Sequence, residues 1–397
     1  MTTQMQYRED FRSGGQLSVL GFGCMRLPRT AGRIDLDKTE ALVRRAVEAG
    51  VNYFDTAYVY PGSEEAVGTV LARTGLRDQI NLATKLPHQR CRSTEDFERI
   101  FTEELERLQT DHIDFYLIHN LSTPARWERV VALGIKNWIA EKKASGQVRR
   151  IGFSFHGTLG DFEAILDAYD WDFCQIQYNY SDENYQAGVT GLRKAHSLGL
   201  PVIIMEPLLG GKLALSLPEA ARALQAKVHP DWSPARWGFS WVWNQPEPTV
   251  VLSGMNAVEQ LTDNLEAAAA AAPGMLGDTD EQTLDAVRKV FREAYKVPCT
   301  GCNYCMPCPH GVNIPGCFAG YNASYVNGLM EGFKTYYMST TVDEDGKRSS
   351  ARACQSCGVC ETKCPQHIAI PHELKQVRKR LEPFWARPVL SVVRKFM

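Results

Sequence analysis

Eight short apolar runs punctuate the first 265 residues: LSVLGFG (17–23), VNYFDTA (51–57), INLATKL (80–86), IDFYLIH (113–119), VRRIGFSF (148–155), FCQIQYNY (173–180), LPVIIMEP (200–207) and TVVLSGM (249–255). Each is apolar on both faces and rich in β-branched or aromatic residues, as parallel strands covered on both sides require. Helical periodicity fills the gaps. Residues 93–109 put Phe97, Ile100, Phe101, Leu105 and Leu108 on one face, with Ser93 as the expected N-cap. Residues 38–49 carry the stripe Leu42, Val43, Ala46 and Val47, and Gly50 ends that helix. The centres of the first seven runs lie 24 to 36 residues apart, the length of one strand-helix unit. The seventh and eighth lie 47 apart and leave room for an excursion that contains GGKL (210–213) and the Trp-rich helix 233–243. Eight units predict a (β/α)8 TIM barrel, an α/β fold, over a doubly wound sheet. No GxGxxG follows the first strand, which argues against a dinucleotide-binding sheet.

Composition then divides the chain. Of twelve cysteines, nine fall in the last 99 residues, and eight of those form two quartets. Residues 1–278 are therefore expected to form the barrel, and 279–397 a smaller, mainly helical unit with a basic C-terminal tail. Disulfides suit small secreted domains, and the first residues lack the apolar core of a signal peptide, so the expected compartment is the reducing cytoplasm. A net charge of −2 gives no case for a nucleic-acid partner. No run of 18 apolar residues indicates a membrane span.

In such a barrel the reactive side chains sit at the C-terminal ends of the strands. Those ends carry Asp55, Lys85 and His119, and Tyr60 follows five residues after Asp55. A tyrosine titrates near ~10 and is a poor acid at neutrality. A lysine cation beside it lowers that value, and a carboxylate keeps the lysine charged and oriented. A histidine can orient a carbonyl oxygen next to the phenol. Taken singly, each residue has an ordinary structural reading; together they make a proton-donating site.

FDTAYVY, LATKLP and YLIHN resemble the motifs of the aldo-keto reductase family. The resemblance extends to LGFGCMRLP at the first strand, IGFSFH at the fifth, QIQYNY at the sixth, MEPLLGGKLA at the seventh and GMNAVEQLTDNL at the eighth. It implies reduction of a small carbonyl substrate by NAD(P)H without a metal, with Asp55, Tyr60, Lys85 and His119 as the catalytic tetrad. It also implies cofactor-binding positions: Gly23 at the first strand end, Ser154 and Gln175 at the nicotinamide amide, Lys212 at the pyrophosphate, and Asn256, Gln260 and Asn264 toward the adenine. Two positions depart from the family pattern. Met205 stands where many members stack a tyrosine on the nicotinamide, and Gly254 and Gln260 stand where many carry cations for a 2′-phosphate. Both NADP(H) and NAD(H) stay open.

The second quartet, CQSCGVCETKCP, has the C-x2-C-x2-C-x3-C-P spacing of bacterial [4Fe–4S] ferredoxins. The first, CTGCNYCMPCP, has one residue fewer before its last cysteine. In two-cluster ferredoxins the fourth cysteine of each run ligates the other cluster. By that pattern Cys299, Cys302, Cys305 and Cys364 hold one cluster, and Cys354, Cys357, Cys360 and Cys308 the other. Structural zinc is the competing reading, and the shortened run leaves one cluster or two open. GVNIP and HIAIP follow the quartets in parallel positions, each with a proline suited to the start of a helix. Cys24, Cys91, Cys174 and Cys317 are expected as buried thiols. Residues 372–397 hold seven Lys or Arg against two Glu, interleaved with Leu374, Val377, Leu381, Phe384 and Trp385. They suggest a helix that docks an apolar face on the barrel. The expected protein is an NAD(P)H-dependent carbonyl reductase with one or two [4Fe–4S] clusters and a candidate redox partner protein. The alternative is an electron-transfer or redox-sensing protein whose barrel binds a nucleotide or partner without turnover.

Overall fold

A computed structural model describes residues 4–340 and 349–383. By compactness the described residues form two units, 4–208 with 235–278, and 209–234 with 279–340 and 349–383.

The first unit is a closed barrel of eight parallel strands. They are β1 (Leu20–Gly23), β2 (Tyr53–Asp55), β3 (Asn81–Leu86), β4 (Ile113–Ile118), β5 (Val148–Phe155), β6 (Phe173–Gln177), β7 (Val202–Met205) and β8 (Pro248–Ser253). Each strand pairs with its neighbours in sequence, and β8 closes on β1. Seven of the eight apolar runs contain their strand, and the eighth strand begins one residue before its run. The first run also feeds Leu17 and Ser18 into a hairpin, Tyr7–Asp10 with Gly15–Ser18, before β1 begins. Ser18 and Asn52 exchange hydrogen bonds of 2.8 and 3.0 Å, which tie this hairpin to the start of β2. Leu17 joins Tyr53, Phe115, Phe173 and Val250 in the barrel core, so the hairpin packs across the N-terminal end.

The helices follow the stripes with instructive exceptions. Helix Leu36–Glu48 is capped by Asp35, whose side chain accepts from the Lys38 amide at 3.1 Å. Helix Thr94–Leu108 starts after Ser93, but the serine hydroxyl makes no cap bond to the helix. On that helix Leu105 is only half-buried, and the fully buried polar residue is Glu104. Tyr116 on β4 lies behind the helix and donates to Glu104 Oε2 at 2.6 Å, so a carboxyl takes a place that periodicity assigns to the edge of the apolar face.

In the second unit, prolines 315 and 371 sit in the first turns of helices Ile314–Val326 and Ile370–Leu381, as GVNIP and HIAIP suggest. Val297, Val312, Phe318, Cys317 and Tyr336 form its core. Leu374, Val377 and Leu381 are buried in that same core, which corrects the expectation of an apolar face spent on the barrel. Phe384 and Trp385 lie outside the described residues. Among the described residues no helix is long and apolar enough to cross a membrane.

Candidate active site and thiolate groups

The register of the barrel brings the candidate residues side by side. Gly23 pairs with Asp55, Asp55 with Ala83, and Ser154 with Gln175. Lys85 Nζ donates to Asp55 Oδ1 at 2.6 Å and to the Thr56 carbonyl at 2.7 Å. The other Asp55 oxygen accepts from Gln175 Nε2 at 3.0 Å. Asp55 and Lys85 are 4% and 1% exposed, so the ion pair is removed from water. A buried lysine is tolerable only when paired, and here the carboxylate and a backbone carbonyl supply the partners.

The half-buried Tyr60 stands over this pair. Lys85 Nζ lies 5.2 Å from the centre of its ring. The His119 ring meets the Tyr60 ring edge to face, with centres 6.2 Å apart. Burial, followed by the Lys85 cation and the neighbouring His156 and His88, holds the His119 pKa well below the usual imidazole range. His119 is therefore a neutral imidazole at physiological pH. A buried lysine and a neutral imidazole thus flank the Tyr60 ring.

The residues beside the tetrad are also placed. Ser154 Oγ accepts from the Asn120 amide at 2.9 Å, which ties the residue after His119 to β5. Asn120 adopts a left-handed backbone, φ 54°, in that turn. Gln175 Oε1 is buried and makes no hydrogen bond among the described residues. An orphaned buried acceptor is costly unless a donor arrives, and a carboxamide N–H would satisfy it. At the end of β8, Asn264 Nδ2 donates to Ser253 Oγ at 2.9 Å, and Gln260 accepts from the Asn256 amide at 2.9 Å. Helix Val258–Ala269 starts after Ala257, which makes no side-chain cap, so its first N–H groups suit an anion.

Sequence reasoning missed several partners. The Thr56 carbonyl is invisible to any motif. His156 Nδ1 pairs with Gln186 Oε1 at 3.1 Å. His88 is buried beside the guanidinium of Arg129, 3.1 Å from its Nδ1, and burial followed by that cation lowers its pKa to about 3. The only signal for His88 was its place just past the end of β3.

Lys212 belongs to the second unit. Its ammonium donates to the Cys299 carbonyl and lies 5.3 Å from the centre of the Tyr295 ring. In the same unit Cys299, Cys302, Cys305 and Cys364 line one cavity, together with Ile314, Phe318 and Ile370. Burial, and then the thiols of Cys299, Cys302 and Cys364, push the Cys305 thiol up to about 12. Burial pushes Cys360 up to about 11, and Cys308 and Cys354 add to it. Cys357 is exposed. The first set joins three cysteines of one quartet to the last of the other. Among the described residues no three His, Cys, Asp or Glu converge as a single metal ion requires. Four cysteines lining one cavity match the four thiolates that a [4Fe–4S] cluster takes. Cys24, Cys91, Cys174 and Cys317 are buried.

Residues 19–273 match the model of the aldo/keto reductase family. The chain belongs to the aldo/keto reductase family. Residues 298–370 match a 4Fe-4S dicluster domain, so this reductase carries iron–sulfur ligation C-terminal to its barrel in the sequence. Among related proteins, the Bacillus subtilis oxidoreductase YrpG is 28% identical over 308 residues, which cover 66% of this chain and 91% of that protein. The 6-dehydroglucose reductase of Novosphingobium aromaticivorans is 29% identical over 287 residues, covering 66% and 90%. A solved aldo-keto reductase from Bacillus halodurans, AKR11C1 in its holo form, superposes with a TM-score of 0.59 at 24% identity, over 72% of this chain and 96% of that one. An aldo/keto reductase from Klebsiella pneumoniae in complex with NADP and acetate gives 0.58 at 24% identity, over 70% and 94%. These likenesses make the chain an oxidoreductase of this family, with the barrel as the shared part.

Proposed function

We propose that the protein reduces an aldehyde or ketone with NAD(P)H, with Tyr60 as the general acid. The observation that carries this reading is the buried Lys85 ammonium, held by Asp55 and the Thr56 carbonyl and placed 5.2 Å from the Tyr60 ring. When bound, the nicotinamide supplies a hydride to the carbonyl carbon. Tyr60 gives its hydroxyl proton to the carbonyl oxygen as charge develops there. The Lys85 cation stabilises the phenolate left behind, and Asp55 keeps that cation in register. Neutral His119 hydrogen-bonds the carbonyl oxygen and orients it toward Tyr60. Gln175 Oε1 accepts from the nicotinamide carboxamide, and Ser154 borders it through the Gln175–Ser154 register. Gly23 leaves room beside the Ser253 carbonyl, which lies 3.3 Å from where a Cβ would stand. The helix start at 256–260 and Asn264 take the adenosine end. A neutral residue at 254 and at 260 suits NAD(H) as well as NADP(H).

In the second unit, Cys299, Cys302, Cys305 and Cys364 hold one [4Fe–4S] cluster, and Cys308, Cys354, Cys357 and Cys360 a second. Exposure at Cys357 gives a redox partner access to the second group. Cysteines that hold clusters or stay reduced, with no disulfide among the described residues, suit the reducing cytoplasm.

The test is Tyr60→Phe in protein purified without oxygen and assayed by NAD(P)H oxidation against a panel of aldehydes and ketones. Carbonyl-dependent oxidation should vanish while nucleotide binding persists. Undiminished turnover would refute the proton-donor role. Failure to bind either nucleotide, in protein with reducible iron, would favour the electron-transfer or sensing alternative. Iron near eight per chain supports both clusters; stoichiometric zinc would refute them.

A further inference from the structure

The excursion after β7 carries Lys212, whose resemblance-implied place is a nucleotide pyrophosphate. Its contacts in the second unit point elsewhere. The ammonium donates to the carbonyl of Cys299, the first cysteine of the cavity described above, and lies over the Tyr295 ring at 5.3 Å. Two further contacts lock the segment there. Gly210 adopts φ +69°, and a Cβ at that position would stand 2.5 Å from the Thr300 carbonyl, so only glycine lets the excursion lie against the cluster loop. Tyr295 Oη donates to the Ser216 carbonyl at 2.9 Å. Gly210, Lys212 and Ser216 thus face Thr300, Cys299 and Tyr295 in turn, three contacts along one short strip.

We propose that Lys212 is a positioning residue for the cluster held by Cys299, Cys302, Cys305 and Cys364, and that its charge raises that cluster's reduction potential. The proposal rests on the ligand set proposed above. The physical reason is charge balance. A [4Fe–4S] centre with four thiolates is anionic, and one-electron reduction from the 2+ to the 1+ core adds one more negative charge. A fixed cation beside a ligand's peptide favours the reduced form, and net charge and hydrogen bonding near the sulfurs are established levers on such potentials. The half-buried setting of Lys212 limits screening by water and salt. Among the described residues, the lining of the cavity is apolar or neutral polar, Thr300, Asn303 and Gln366 among the latter, and holds no Asp or Glu to cancel the effect.

The experiment is an anaerobic redox titration with dithionite, followed by electron paramagnetic resonance, on the full-length iron-loaded protein. Iron content of the unsubstituted protein is measured first; absence of iron would refute the ligand reading itself, and the proposal with it. Lys212→Gln should make reduction of one cluster about tenfold less favourable, a fall of ~59 mV for a one-electron couple. The other cluster's midpoint should stay put. Lys212→Arg, which keeps the charge, should retain the original midpoint. Lys212→Ser is a second neutral variant and should match Lys212→Gln; it carries the test if the glutamine form does not load iron. Full iron with an unchanged midpoint in the neutral variants would overturn the proposal. So would an equal fall in Lys212→Arg, or a fall in both clusters together.

Discussion

Replacing Lys85 by methionine isolates the role of its charge at nearly constant volume. The ammonium sits between Asp55 Oδ1 at 2.6 Å and the Thr56 carbonyl at 2.7 Å, and both ion-pair side chains are nearly inaccessible to water. Lys85→Met leaves the Asp55 carboxylate with only Gln175 Nε2, and it orphans the Thr56 carbonyl. Removing one partner of a buried pair costs roughly 3–5 kcal/mol, because the remaining charge is desolvated and unpaired. Asp55→Asn/Lys85→Met removes both charges, so it should recover about half of that loss, even though it carries more substitutions. Urea unfolding followed by circular dichroism measures both. The same variant should lower turnover by about 100-fold or more, since an acid in the wrong protonation regime forfeits most of a 10²–10⁴ contribution. Two results would refute the reasoning: a double variant no more stable than Lys85→Met, or turnover within about threefold of the unsubstituted protein.

Three other outcomes follow from buried groups. His88 has a folded pKa of about 3 against roughly 6.5 unfolded, so it favours the neutral form in the fold. Its contribution is complete above pH ~6.5 and lost as pH falls toward 3; at pH 5 the protein should lose about 2 kcal/mol relative to His88→Gln, measured by urea unfolding at pH 7.5 and 5. Glu104 is the opposite case: burial, then the charge of Glu64, raise its pKa well above the usual carboxylate range. Stability it lends is present below pH ~4.3 and is lost as pH rises, so Glu104→Gln should gain on the unsubstituted protein in unfolding experiments between pH 5 and 8, and equal stability across that range would contradict the assignment. Gln175→Leu removes the orphan acceptor and should weaken nucleotide binding about tenfold by fluorescence titration, the worth of one buried hydrogen bond. Unchanged affinity would place the carboxamide elsewhere.

The barrel and its mouth were largely legible because they depend on local patterns. Two-sided apolar runs at one-unit spacing admit few folds, and a strand end is a sequence position, so Asp55, Lys85 and His119 could be read together. Glu104 was not legible, because the feature that accommodates it, the Tyr116 hydroxyl, comes from the next strand and not from its own helix. His88 was missed for the same reason: its neutrality depends on burial against Arg129. The C-terminal helix shows the limit from another side. Its stripe Leu374, Val377 and Leu381 was readable, but periodicity says only that a face is buried, not which surface covers it.

The cysteine quartets mark the same division. Spacing alone announced thiolate clusters, because a tight loop that presents four sulfurs has a recognisable period. The ferredoxin pattern also joined Cys364 to Cys299, Cys302 and Cys305, and packing lines one cavity with these four across some sixty residues of chain. Lys212 is the sharpest case. Its motif suggested a phosphate, but its partners depend on the excursion folding against residues 295–300, a long-range choice that no local pattern encodes. Local chemistry and period were written in the sequence; the pairing of distant residues, and hence the environment of each charge, was settled only when the chain closed on itself.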